Sequence, residues 1–119
     1  MSCEIVTSLD FLRELKRLSK RYRSIKQDVE NLGKEIAANP TLGTDMGDGI
    51  RKVRLAITSK GKGKSGGARV ITYNVVTQVR NDGRVLLVTI YDKSERDSIT
   101  KREISNILRA NGLTTKEII

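Results

Sequence analysis

The chain has no histidine, no tryptophan, one cysteine and one proline in 119 residues. Without histidine there is no imidazole to move protons near neutrality, and the commonest metal ligand is missing too. The lone thiol, Cys3, supports neither an internal disulfide nor a thiolate metal cluster. Aromatic residues amount to 3%, so nucleic-acid bases would find few stacking platforms; Phe11, Tyr22, Tyr73 and Tyr91 are the whole supply. No apolar run is long enough to span a bilayer, and the N-terminus lacks a signal-peptide core, so a cytoplasmic location and no membrane partner are expected. The apolar fraction of 37% points to one thin, aliphatic core, with residues 1–119 forming a single domain.

What the chain does have is positive charge. Lys and Arg number 23 against 14 acidic residues, a net charge of +9. Such a field favours polyanions, because each neutralised phosphate releases condensed counterions. The distribution sharpens the point. No acidic residue lies between Gly49 and Asn81, a stretch that holds Arg51, Lys52, Arg54, Lys60, Lys62, Lys64, Arg69 and Arg80. A surface selected for solubility would intersperse the signs. A second group, Arg13, Lys16, Arg17, Lys20, Arg21, Arg23 and Lys26, has Asp10, Glu14 and Asp28 among it and reads as a solvated helix face.

Hydrophobic spacing divides the chain. Cys3–Thr7 reads as a short strand, and Thr7 or Ser8 caps a helix carrying Leu9, Leu12, Leu15 and Leu18, with Phe11 nearby. A second helix from Ser24 places Ile25, Val29, Leu32 and Ile36 on one face and ends at Asn39-Pro40. Thr41–Gly49 reads as a loop. The period then drops to two. Val53, Leu55 and Ile57 share one face of a strand, and Lys52 and Arg54 the other. Lys60–Gly67 is a flexible basic turn, Ala68–Val79 a strand, and Arg80–Arg84 a hairpin turn. Val85–Tyr91 is nearly all apolar or β-branched, as in a strand buried on both faces. Thr100 and Glu103 form a capping box for a last helix, with Ile104, Ile107 and Leu108 apolar and Gly112 beyond its end. The order β-α-α-β-β-β-α defines an α+β class.

Two motifs are lookalikes. Gly63-Lys64-Ser65 resembles the end of a phosphate-binding loop, but Thr58 stands where the first glycine belongs and a strand follows instead of a helix. Asp92, Glu95 and Asp97 lie in a run of alternating sign that salt-bridges or solvates more readily than it holds magnesium, so no metal is expected.

The ordered set Arg51-Lys52-Val53-Arg54, Gly61–Tyr73 and Val88–Ile99, behind two helices, resembles the RelE/ParE toxin superfamily, nearest its HigB-like branch. The resemblance implies a type II toxin held inactive by a cognate antitoxin. It further implies a protein that enters the ribosome and cleaves mRNA by 2′-hydroxyl attack, leaving a 2′,3′-cyclic phosphate, with no cofactor. That chemistry needs a proton acceptor, stabilisation of the phosphorane and a proton donor for the 5′-oxygen. Guanidinium and ammonium groups supply the electrostatics.

By position, the superfamily's paired basic residues fall on Lys52 and Arg54, and its next-strand arginine on Arg69. Ser94 and Thr100 stand where RelE carries a catalytic arginine and a tyrosine. Lys93, Tyr91 and Arg96 are nearby candidates for the vacated roles, Lys93 as proton donor with a pKa lowered by Lys52, Arg54 and Arg69. Tyr91 as a core residue and Arg96 as a partner of Glu95 are the alternatives. Arg51, Lys60, Lys62 and Lys64 are expected to steer the RNA backbone. Two other functions stay open: a ParE-like poison of DNA gyrase without nuclease chemistry, and a non-catalytic nucleic-acid-binding module.

Overall fold

The computed structural model describes residues 4–76 and 81–112. Five strands form one sheet in the order β1-β5-β4-β3-β2. They are β1 (Glu4–Thr7), β2 (Thr44–Gly47), β3 (Ile50–Leu55), β4 (Ala68–Val76) and β5 (Asn81–Asp92). Helices α1 (Leu9–Ser19) and α2 (Ile25–Ala38) lie between β1 and β2 in the chain, and α3 (Lys101–Ala110) follows β5. β1 runs parallel to β5 and all other neighbours are antiparallel. The class is α+β, as expected.

One element is additional to the expected order. β2 lies inside Thr41–Gly49 and pairs Thr44 with Lys52 and Asp45 with Arg51. Asp48 (φ 56°) and Gly49 (φ 80°) turn the chain back into β3 through the left-handed region, as tight hairpins require. With Met46 its only apolar residue, β2 has no two-residue alternation to reveal it; backbone pairing makes this strand. The expected hairpin turn at Arg80–Arg84 is corrected in part. Asn81 is paired with Val76 and Arg84 with Val75, so the ladder already runs through that segment, with an irregularity between the two pairs. Arg80, Cys3 and the end of the expected Ala68–Val79 strand lie outside the described residues.

The sheet separates two apolar clusters. On one face Phe11 and Leu18 of α1, with Ile25, Val29, Leu32 and Ile36 of α2, pack on Val53, Leu55, Val70, Val85, Leu87 and Ile90. On the other, Ile104 and Leu108 of α3 pack with Ile50, Ile71, Tyr73, Leu86, Val88 and Tyr91. β5 therefore buries both faces, and Val85–Tyr91 are all buried. The leucine stripe of α1 is corrected: Leu9 is 73% and Leu12 48% exposed, whereas Phe11 and Leu18 are buried and Leu15 packs on the core. A spacing of three falls short of the helical 3.6 and drifts around the axis, while Phe11, Leu15 and Leu18, spaced four and three, stay on one side.

Ser8 joins the first helix to the sheet. Its hydroxyl accepts from the Phe11 N–H at 2.9 Å and donates to the Val88 carbonyl at 2.6 Å. The Thr100–Glu103 capping box starts α3 as expected.

Phe11→Ala should cost about 3–5 kcal/mol, the usual range for a buried aromatic. Leu12→Ser should fall within about 0.5 kcal/mol of the parent, as an exposed site does. Urea unfolding followed by circular dichroism measures both, and equal losses would return Leu12 to the core.

Candidate nucleic-acid interface

The sheet's hydrogen-bond parity organises the basic face. The Asn74 N–H donates to the Gly49 carbonyl at 2.9 Å, making 49/74 a hydrogen-bonded pair. Alternation along β3 and β4 then makes Lys52/Ile71 and Arg54/Arg69 non-hydrogen-bonded pairs, the closely spaced kind. On the far side of β4, Arg69 is partnered by Tyr91 of β5. Arg54, Arg69 and Tyr91 thus form a row across three strands, on the face that α3 shares, with Lys52 one pair further along. Like charges set directly opposite one another destabilise a sheet. Lys52 and Arg54 have no carboxylate within ion-pair distance among the described residues.

Arg69 is 6% exposed and fastened to the loop before its own strand. Its guanidinium donates to the carbonyls of Lys64 at 3.0 Å, Ala68 at 3.1 Å and Ser65 at 3.4 Å. Nε–H and one Nη2–H are left over from its five donors. Gly67 makes this close fit feasible, since a Cβ there would lie 2.1 Å from the Leu55 carbonyl oxygen. The turn expected to be flexible has a fixed backbone at both ends, and Lys62 and Lys64 stand exposed upon it.

The other end of that turn is held from the α1/α2 side of the sheet. Asp92, fully buried, accepts from Lys60 Nζ at 2.8 Å, from the Tyr22 hydroxyl at 2.6 Å, and from the Ser94 N–H and hydroxyl at 3.0 and 2.8 Å. Burial works to raise the Asp92 pKa, but these four donors outweigh it and hold the carboxyl well below the ordinary range. Lys60, hydrogen-bonded to Asp92, is held above its ordinary value despite desolvation.

Of the residues expected at the site, the structure brings together Lys52, Arg54, Arg69 and Tyr91, with Arg96 stacked over the Tyr91 ring at 5.6 Å from its centroid. Three others turn elsewhere. Lys60 is committed to Asp92. Arg51 points to the Thr41 carbonyl at 3.0 Å and to Asp45 at 3.8 Å. The Lys93 ammonium sits on the Asp97 carbonyl at 2.7 Å and its carboxylate at 3.5 Å.

The expected Arg96–Glu95 alternative is corrected as well. Arg96 pairs with Glu103 at 2.7 Å, while Glu95 is gripped by Arg17 at 2.9 Å and Arg21 at 3.1 Å. Those arginines of the first helix region are accordingly tied to the loop after β5 rather than only solvated. Glu103 had been legible as a cap but not as a partner of Arg96, because the loop between them folds back by an amount that no spacing rule gives. Tyr22, separated from Asp92 by 70 positions, carried no local signal at all. Among the described residues no group of three or more metal-ligating side chains converges, and no helix is long and apolar enough to cross a membrane.

The structure is thus that of a small α+β protein with guanidinium and ammonium groups on one sheet face that lack carboxylate partners among the described residues. A family model described as RelE toxin of the RelE / RelB toxin-antitoxin system matches residues 11–117. The chain belongs to the RelE toxin family, and so is the toxin member of a toxin–antitoxin system whose natural partner is a cognate antitoxin.

Asp92 makes a pH prediction. Because its pKa is depressed in the folded protein, its stabilisation is present at neutral pH, above the unfolded carboxylate value near 3.9. It is lost as the pH falls from about 4 towards the native value. Asp92→Asn should cost about 3 kcal/mol at pH 7, the range for breaking a buried pair, and should flatten the acid limb of the stability profile. Urea midpoints from pH 7 down to pH 3 test both; an unchanged acid limb would remove Asp92 from the account.

Proposed function

We propose that this toxin is a ribosome-dependent endonuclease that cuts mRNA in the cytoplasm and needs no bound cofactor. The observation that carries the reading is the row of Arg54 and Arg69, directly opposed in a close pair, with Lys52 alongside and no carboxylate on Lys52 or Arg54. An arrangement that opposes like charges is relieved when an anion lies across it. In the reaction the ribose 2′-oxygen attacks the adjacent phosphorus and its proton passes to a base. The bond from phosphorus to the 5′-oxygen breaks, and that oxygen takes up a proton, leaving a 2′,3′-cyclic phosphate. Negative charge grows on the phosphorane oxygens on the way, and fixed cations there lower the barrier. Arg54 presents a planar fork suited to two phosphate oxygens, Lys52 a compact charge, and Arg69 its remaining N–H groups.

Lys62 and Lys64, exposed on the turn that leads into β4, hold the RNA backbone beside the cut. Lys93, the donor expected from the sequence, serves the leaving oxygen only after releasing Asp97. Arg51 and Lys60 contribute to the field but not to direct contact.

Arg54→Ala, at an exposed position, and Lys52→Ala should each abolish growth arrest on expression while leaving the fold intact. Arg69→Ala should do the same and also lose stability, since three backbone carbonyls lose their donor. Primer extension on mRNA from the expressing cells reads the cuts and their reading frame. Growth arrest without cuts, accompanied by loss of DNA supercoiling activity, would replace this reading with gyrase poisoning.

RNA affinity should fall steeply with salt. Lys62→Ala with Lys64→Ala should reduce the slope of log affinity against log salt by about 1.4, from roughly 0.7 per phosphate contact on a single strand. Titration of a fluorescent RNA at several salt concentrations measures it, and an unchanged slope would take both lysines off the RNA path.

A further inference from the structure

The hydroxyl of Tyr91 is buried and has no hydrogen-bond partner among the described residues. Tyr91 as a whole is 4% exposed. A buried phenol left unsatisfied is unusual and unfavourable, so it calls for a physical cause. Its neighbours supply one. Arg69 is its cross-strand partner and keeps two N–H groups unused. Arg96 lies over the ring. Tyr91, Arg96 and Glu103 also line one open groove of about 460 Å³ between α1 and α3 beside the end of β5. The groove's other carboxylates, Asp10, Glu14 and Glu95, are each held by an arginine of the first helix region.

Arg96 is not idle in the free protein. Its Nε–H donates to the Ser98 carbonyl at 2.9 Å, and Nη2 to Glu103 Oε2 at 2.7 Å. The other Glu103 oxygen caps the Thr100 N–H at 3.1 Å. Both partners of the ion pair are 42% exposed, so the contact is weak and exchangeable. A phosphodiester offers Arg96 two anionic oxygens that can accept from its guanidinium fork as the Glu103 carboxylate does.

We propose that Tyr91 and Arg96, beside Arg69, form a second phosphate subsite for RNA, held closed in the free protein by Glu103. On binding, Arg96 exchanges Glu103 for a phosphodiester oxygen, and the orphaned Tyr91 hydroxyl donates to the same phosphate. Glu103 keeps its capping role on α3, so the helix stays in place while the arginine moves. This inference rests on the RNA-cutting reading above and adds a contact at the β5 end of the row that starts at Arg54.

The discriminating variant is Tyr91→Phe, which deletes only an unpartnered oxygen. The probe is a short single-stranded RNA with 2′-O-methyl riboses, which cannot be cleaved, followed by fluorescence anisotropy at low salt. The subsite requires Tyr91→Phe to bind about tenfold more weakly, as a lost hydrogen bond to a charged group would give, while its thermal midpoint is unchanged or higher. Glu103→Gln retains an accepting oxygen for the cap but releases Arg96, and should bind about two- to fivefold more tightly than the parent. Tyr91→Phe binding like the parent, with Lys52→Ala and Arg54→Ala weakened, would overturn the subsite and leave the RNA reading standing. RNA affinity indifferent to all of these substitutions would overturn the RNA reading itself.

Discussion

A carboxylate with no solvent around it, Asp92, sets the geometry of a basic surface on the other side of the sheet. Removing such a charge from water costs several kcal/mol, recovered only when its lone pairs are well satisfied. Here the donors come from three separate places: the turn after β3, the link between α1 and α2, and the loop after β5. Each segment is therefore located by the same anion. The turn that Lys60 anchors also supplies the carbonyls that aim Arg69. Asp92 and Tyr91 are adjacent on β5 and point to opposite faces, so one peptide plane joins the anchor to the basic row.

The cations divide into two populations. Arg13, Arg17, Arg21, Arg51, Lys60, Lys93 and Arg96 each have a carboxylate partner, and most of those contacts staple a helix or a loop. Lys52, Arg54, Lys62 and Lys64 have none among the described residues, and Arg69 is satisfied only by neutral carbonyls. Net charge alone does not separate these groups. Lys16, Lys20, Arg23, Lys26, Lys34, Lys101, Arg102 and Arg109, on and beside the helices, also lack a carboxylate partner among the described residues, so what sets the sheet face apart is the direct opposition of Arg54 and Arg69 with Lys52 alongside.

Much of this was legible in the chain. α2 announced itself through Ile25, Val29, Leu32 and Ile36, β5 through an unbroken apolar run, and α3 through its capping box, because each of these signals is local. The common face of Lys52 and Arg54 followed from the pleat alone. β2 was not legible, since a strand held by backbone pairing leaves little mark in side-chain pattern. The leucine spacing in α1 misled, because composition was read ahead of angle and Phe11 was left aside. The commitments of Lys60 and Lys93 were hidden for another reason. A long flexible cation goes to whichever acceptor the tertiary fold brings near, and neither Asp92 nor Asp97 stood out as an acceptor in a run of mixed charge.

The parallel pairing of β1 with β5 bears on when the protein comes into being. The Ser8 hydroxyl and the Val88 carbonyl are 80 positions apart in sequence. At a synthesis rate of about 5–20 residues per second, β1 waits roughly 4–16 s before the strand it pairs with has been made, and α1 behind it waits nearly as long. The nascent chain meanwhile displays the apolar side of α1 with no β5 to cover it. Arg69 has no Tyr91 beside it, and Lys60 has no Asp92. The basic row is therefore assembled only once β5 has been made, and until then its cations have no common face to share.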